Sequence, residues 1–179
     1  MGMHDVGEDL GHGTRMAPPG RASPEPQVIA TLVGIYLSPQ ATGLPRSVDW
    51  ARGVPGRGLE GDRYFAGRGT WSHQRRLWSD LTLIESEAIE EAALHGLGID
   101  PGEARRNLVT SGARLVDLIG CRVRIGDVEI EGERPCHPCG HLDRLTGRPA
   151  KAALAGRGGL RARICAGGIL RAGDPLVLL

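Results

Sequence analysis

Cys121-Arg122-Val123-Arg124-Ile125-Gly126-Asp127-Val128-Glu129-Ile130 reads as a β-hairpin. Apolar and charged residues alternate on both sides of Gly126-Asp127, so each arm has one apolar face, and the Gly-Asp pair supplies the tight turn. Cys121 falls in step with Val123 and Ile125, which predicts an inert core thiol. Strand signals recur on both sides of this hairpin. Val28 to Tyr36 is a β-branched run suited to a buried strand, Leu81-Thr82-Leu83-Ile84 is strand-like, and Leu160 to Ile164 alternates. Gly167-Gly168 and Gly173-Asp174 punctuate the last strands, which end at Leu176 to Leu179. Helical signals are few. Glu85-Ser86 opens a helix with Ala88, Ile89, Ala92 and Ala93 on one face and Gly96 as its stop. Asp100-Pro101 caps a short turn through Ala104, Leu115 to Ile119 is another, and 142–145 and 149–154 look like short helical turns. The expected fold is therefore mainly β with a few short helices, closed or nearly closed into a β-barrel.

The arms of the hairpin lead into Glu133-Arg134-Pro135-Cys136-His137-Pro138-Cys139-Gly140-His141. Two thiols and two imidazoles sit together, stiffened by two prolines that fix φ and lower the entropy lost on ordering. A stiff loop can hold a thiolate in one place, as a nucleophile or a metal ligand requires. Four readings of Cys136-x-x-Cys139 compete. Structural zinc needs four ligands, and with Cys121 and Cys165 standing alone it would draw on His137 or His141. A thioredoxin-type dithiol follows a parallel strand, whereas this loop follows a hairpin. The others are a surface loop with two unreactive thiols, and a single reactive or metal-ligating thiolate beside an anion clamp.

That clamp is Arg105-Arg106-Asn107, two guanidiniums and an amide at the entrance to the strand Leu108-Val109, in a form suited to phosphate-like anions or to solvated surface arginines. Upstream, Gly56, Gly58 and Gly61 satisfy G-x-G-x-x-G, but no apolar strand precedes them and Asp62-Arg63-Tyr64-Phe65 opens no amphipathic helix. A glycine-rich turn between strands is expected instead, with Asp62 and Arg63 as an ion pair that holds it. The polar stretch from Gly67 to Asp80, with Trp71, His73, Arg75, Arg76 and Trp78, is either a surface loop or a flap.

Composition narrows the function. The chain has 179 residues, 40% of them hydrophobic, 3% aromatic, with a net charge of +1. So few aromatics give no stacking platform for single-stranded nucleic acid, and so little charge gives no field to hold nucleic acid or an acidic membrane. Lys151 is the sole lysine among 22 basic residues, so a Schiff base has only one place to form. No run approaches the roughly 20 apolar residues of a membrane span. Four unevenly placed cysteines do not make a disulfide scaffold, and a reducing cytoplasm is the expected compartment. Residues 1–26 carry no apolar period and are expected to be a disordered leader before a domain over 27–179.

The order Gly58-x-x-Gly61-Asp62-Arg63, Arg105-Arg106-Asn107-Leu108-Val109, Leu118-Ile119-Gly120, Ile125-Gly126-Asp127, Pro135-Cys136-x-x-Cys139 and Gly158-Gly159…Gly168…Gly173-Asp174 resembles the MOSC domain family. That family is named for the C-terminal domain of eukaryotic molybdenum cofactor sulfurases. The resemblance implies a pyruvate-kinase-like β-barrel and a site for the molybdenum cofactor (molybdopterin). It implies one cysteine that ligates molybdenum or carries sulfur. In relatives such as the mitochondrial amidoxime-reducing enzymes that is the second cysteine of the pair, here Cys139, the catalytic and metal-ligating candidate. Arg105, Arg106 and Asn107 correspond to positions near the pterin phosphate, and Gly61, Asp62, Arg63, Cys136 and His137 complete the cofactor-binding candidates. The implied activity is that of a stand-alone oxidoreductase acting on N-hydroxylated small molecules, with electrons from a separate donor. The alternatives are a sulfur carrier loaded by a cysteine desulfurase, and a non-catalytic small-molecule or zinc-binding module. The chain has no room for the pyridoxal-phosphate domain of the sulfurases, so that cofactor is not expected to bind it covalently.

Overall fold

The computed structural model describes residues 1–2, 26–70, 72–73 and 79–179. The leader expected over 1–26 lies almost wholly outside the described residues, as do Trp71, Arg75, Arg76 and Trp78 of the polar stretch.

Eleven strands among the described residues carry the fold: β1 (Gln27–Leu37), β2 (Arg46–Val48), β3 (Trp50–Val54), β4 (Gly58–Leu59), β5 (Leu81–Glu85), β6 (Leu108–Ser111), β7 (Arg122–Ile125), β8 (Val128–Pro135), β9 (Leu160–Ala166), β10 (Gly168–Arg171) and β11 (Pro175–Leu178). Seven of them close on themselves in the order β1-β11-β7-β8-β9-β5-β6 and back to β1, with β2 added against β1. Every neighbouring pair in the ring is antiparallel except β5 and β6. Closure removes the free edges an open sheet of this length would expose. The side-chain period does the rest. Val123 and Ile125 on β7, Ile130 on β8, Leu160, Ala162 and Ile164 on β9, and Leu81 and Leu83 on β5 all point into one core. A separate β10-β3-β4 sheet contributes Ala51, Leu59 and Leu170 to that same core. Bulges in β1 and β8 bend the two longest ring strands, as closure of a small barrel requires.

Helices cover part of the outer wall. Ile84 and Val109, the outward residues of β5 and β6, form a second apolar cluster with Ala88, Ile89 and Ala92 of α1 (Ser86–Leu94). Leu142 of α2 (Gly140–Thr146), Ala150 of α3 (Ala150–Ala153) and Leu154 join it. Short 3-10 turns at Pro101–Ala104, with a capping box from Asp100 and Glu103, and at Leu115–Leu118 match the expected turns.

Three expectations change. Ala93 is exposed, because it lies a residue beyond the buried Ala88-Ile89-Ala92 stripe. Cys121 is not a core thiol: it precedes the first paired residue of β7, is only half-buried, and lies 3.8 Å from the Asp117 carbonyl. A strand does precede the Gly56–Gly61 turn, since Trp50–Val54 pairs with β4 and β10 despite its exposed Trp50. Turns rather than a helix follow, so the glycines join strands as expected.

Glu87 ties α1 to the end of β6 by accepting from Gly112 N (2.8 Å) and Ser111 Oγ (2.9 Å). Partial burial pushes its carboxyl up, but hydrogen bonds from its own amide, Gly112, Ser111 and Ser86 outweigh that and hold it below the usual carboxylate range. Its contribution is therefore complete above the unfolded carboxylate pKa and vanishes as pH falls through the lower folded value. Glu87→Gln is expected to cost about 1 kcal/mol at neutral pH, the low end for a partly screened charged acceptor. Urea melts of the two proteins should converge in acid.

Candidate functional site

Strand alternation sets out a row of polar side chains on the barrel's outer wall. Thr82 lies between the core residues Leu81 and Leu83, and Arg161 between Leu160 and Ala162. Arg161 is paired with Thr82 across β9 and β5 and with Arg134 across β9 and β8. At the entrance to β6, Asn107 Oδ1 accepts from both the amide and the hydroxyl of Thr82, each at 3.2 Å. Asn107 Nδ2 has no partner among the described residues. Beside the helical cluster, this wall becomes the floor of a cleft of about 830 Å³, counting its open mouth.

The Cys136–His141 segment forms one side of the cleft, and its shape is fixed from beneath. Cys136 N donates to Gly159 O (2.8 Å), and Arg106 Nη2 donates to Cys136 O (3.0 Å). The other Arg106 nitrogens go to Gly158 O (2.8 Å) and Ala104 O (3.2 Å). Gly158 lets the backbones meet, since a Cβ there would stand 2.4 Å from Cys136 O. Cys136 is consequently buried, at 2% exposure, whereas Cys139, in an extended conformation at the start of α2, is exposed and lines the cleft with His137 and His141.

The cleft is also cationic. Arg63 and Arg105 line it, and the half-buried Arg105 adopts the left-handed conformation (φ 58°) to donate to Ala41 O and Gly43 O, each at 2.8 Å. Burial, then the like charge of Arg63, lowers the Arg105 pKa from the ordinary arginine value. His141 is pushed down by burial and then by Arg144, Arg105 and Arg63, so positive potential reaches across the cleft. Four arginines (Arg63, Arg105, Arg106 and Arg161) and one carboxylate, Asp80, line it among the described residues.

The structure thus brings Cys139, Cys136, His137, Arg63, Arg105, Arg106 and Asn107 into one cleft, but not with the roles the sequence suggested for all of them. Arg106 spends all three guanidinium nitrogens on backbone carbonyls and acts as a clamp on the cysteine loop. Asp62 and Gly61 do not line the cleft. Asp62 is buried, accepts from Ser38 N and Tyr64 N at 3.0 Å each, and meets Arg63 at 3.4 Å, so it builds the turn that presents Arg63. Gly61 supplies that turn's positive φ. Sequence reasoning missed Tyr64, Ser79, Asp80, Thr82 and Arg161 as lining residues. A signal existed for Thr82 and Arg161, each the outward member of an otherwise apolar alternation. Zinc finds no support, since among the described residues no three His, Cys, Asp or Glu side chains cluster as a metal would need. No helix among them is long and apolar enough to cross a membrane.

The fold has known counterparts. The barrel is similar to YuaD from Bacillus subtilis, with a TM-score of 0.69 and 19% identity over 83% of this chain and 94% of that one. It is similar to YiiM from Escherichia coli (TM-score 0.63, 21% identity, 84% and 69% covered). YiiM from Geobacillus stearothermophilus is a third such structure (0.57, 18%, 86% and 75%). A sequence comparison with curated proteins finds no match. The family model described as the MOSC domain matches residues 78–177, which span the arginine clamp, the cysteine loop and all of β5 to β11 but the last residue. With more than half of its length under that model and a barrel shared with these structures, the chain belongs to the MOSC domain family.

Proposed function

We propose that this protein binds the molybdenum cofactor in the cleft, with the Cys139 thiolate as a ligand to the metal, and reduces N-hydroxylated small molecules there. One observation carries the reading: the exposed Cys139 thiol lines the same cleft as Arg63, Arg105 and Arg161. The donor set suits the group. A soft anionic sulfur on a stiff loop is a fitting ligand for a thiophilic metal, and arginines with Asn107 Nδ2 offer charge-assisted donors to a phosphate. The molybdenum centre, when bound, supplies two-electron redox chemistry. Reduction of an N–OH group to N–H consumes two electrons and two protons and releases water. The electrons come from a separate donor protein, since nothing in the chain's motifs holds flavin, haem or an iron–sulfur cluster. The chain's own residues position the reaction. Arg106 and Gly158 fix the loop so that Cys139 is presented without rearrangement, and the arginines hold the anionic end of the cofactor.

Protein purified from a host that makes the cofactor is expected to contain roughly equimolar molybdenum and to convert benzamidoxime to benzamidine with a reduced viologen dye as donor. Metal-free protein from that host would reject the reading. If such protein instead gained the mass of one sulfur when incubated with a cysteine desulfurase and cysteine, and lost that gain in Cys139→Ala, Cys139 would be a persulfide carrier.

A further inference from the structure

Asp80 is a buried carboxylate in a cleft lined by arginines, and one of its oxygens has no partner among the described residues. It is only 8% exposed and is the one acidic residue lining the cleft among the described residues. Oδ2 is fixed by two backbone amides, Ile164 N at 2.8 Å and Gly56 N at 3.1 Å. Oδ1 has no partner among the described residues, yet it is not one of the orphaned atoms sealed inside the protein. Asp80 itself lines the cleft. A carboxylate oxygen held in place and largely stripped of water is a strong acceptor for any donor that reaches it. The bonds formed by Arg63, Arg105 and Arg106 among the described residues go to other groups. A donor of opposite hydrogen-bonding sense stands nearby. Asn107 is bonded to Thr82, two residues along from Asp80, and its Nδ2 is unused.

We propose that Asp80 Oδ1 accepts from the N–H side of a neutral N–C–N edge, with Asn107 Nδ2 available to an acceptor on the same ligand. A neutral edge is required because surrounding arginines penalise a cationic one. The naming of sources rests on the molybdenum-cofactor reading: the edge belongs either to the aminopyrimidinone ring of the pterin or to an N-hydroxyamidine substrate. The binding step itself needs no metal. Asp80 is a recognition residue, distinct from the loop that presents Cys139.

The test uses metal-free full-length protein, so that it stands or falls separately from the redox function. Two probes are titrated, pterin-6-carboxylate by its fluorescence and benzamidoxime by calorimetry. In Asp80→Asn the amide oxygen still accepts from Gly56 and Ile164, while the amide nitrogen replaces the acceptor with a donor. A loss of about 10- to 100-fold in affinity is expected for the probe that uses the site. Loss for the pterin alone assigns the edge to the cofactor, loss for benzamidoxime alone assigns it to the substrate, and loss for both means that the two share it. Wild-type protein that binds neither probe, or a folded variant that binds both as wild type does, overturns the proposal. Should the variant fail to fold, the 2-dimethylamino pterin analogue and N,N-dimethylbenzamidoxime replace it. Neither has N–H on the amino nitrogen, and equal binding of parent and methylated probes by wild-type protein overturns the proposal equally.

Discussion

Cys139→Ser is expected to purify without molybdenum from a host in which the wild-type protein is loaded, at nearly unchanged stability. The side chain is exposed and forms no hydrogen bond among the described residues, so its replacement falls among surface changes worth within about 0.5 kcal/mol. Loss of metal would then report on ligation alone. A serine hydroxyl is a hard, neutral donor at pH 7 and a poor substitute for thiolate. Cys136→Ser is the internal control and should behave in the opposite way. Its sulfur is buried at 2% exposure, and a hydroxyl there without a partner costs about 1–3 kcal/mol, lowering the melting temperature by several degrees. It should keep its molybdenum, because Cys136 is anchored through its backbone, by Gly159 and Arg106. Metal analysis and a thermal melt on the two variants separate ligand from scaffold.

Gly159→Ala should be the most damaging small substitution near the site. Gly159 has φ 95°, and a Cβ would stand 1.9 Å from the carbonyl oxygen of Leu83. That oxygen belongs to β5, which is held on both sides by β6 and β9, so it has no room to give. The left-handed conformation and the overlap together cost about 2–5 kcal/mol. Gly159 O also receives Cys136 N, so the displacement passes to the cysteine loop and should lower molybdenum content as well. Gly156→Ala is the control: its φ is 75°, but its Cβ position is open, leaving about 1–2 kcal/mol of conformational strain and no effect on metal. Chemical denaturation and metal analysis of both variants check this.

The barrel was legible because its signals are local. The hairpin over residues 121–130, the run at Val28–Tyr36 and the alternation at Leu160–Ile164 each declare a strand, and glycine turns separate them. Closure of the ring was legible only as a consequence of many short strands, since the register between β1 and β11 is set by contacts distant in sequence. Cys121 shows the limit of period reading, which extended the alternation one residue past the first paired position. The site divided in the same way. Its thiols and arginines announce themselves by type, yet which arginine faces ligand and which is spent on carbonyls depends on the approach of Gly158 to Cys136, and no local pattern encodes that. Asp80 gave no signal because its role comes from amides of Gly56 and Ile164, at separations of 24 and 84 residues.

X-ray absorption at the molybdenum edge of the loaded protein tests the central claim most directly. If Cys139 ligates the metal, the wild-type spectrum contains a protein sulfur in addition to those of the cofactor, and reconstituted Cys139→Ser lacks it while Cys136→Ser retains it. Identical sulfur shells in wild type and reconstituted Cys139→Ser would contradict the account.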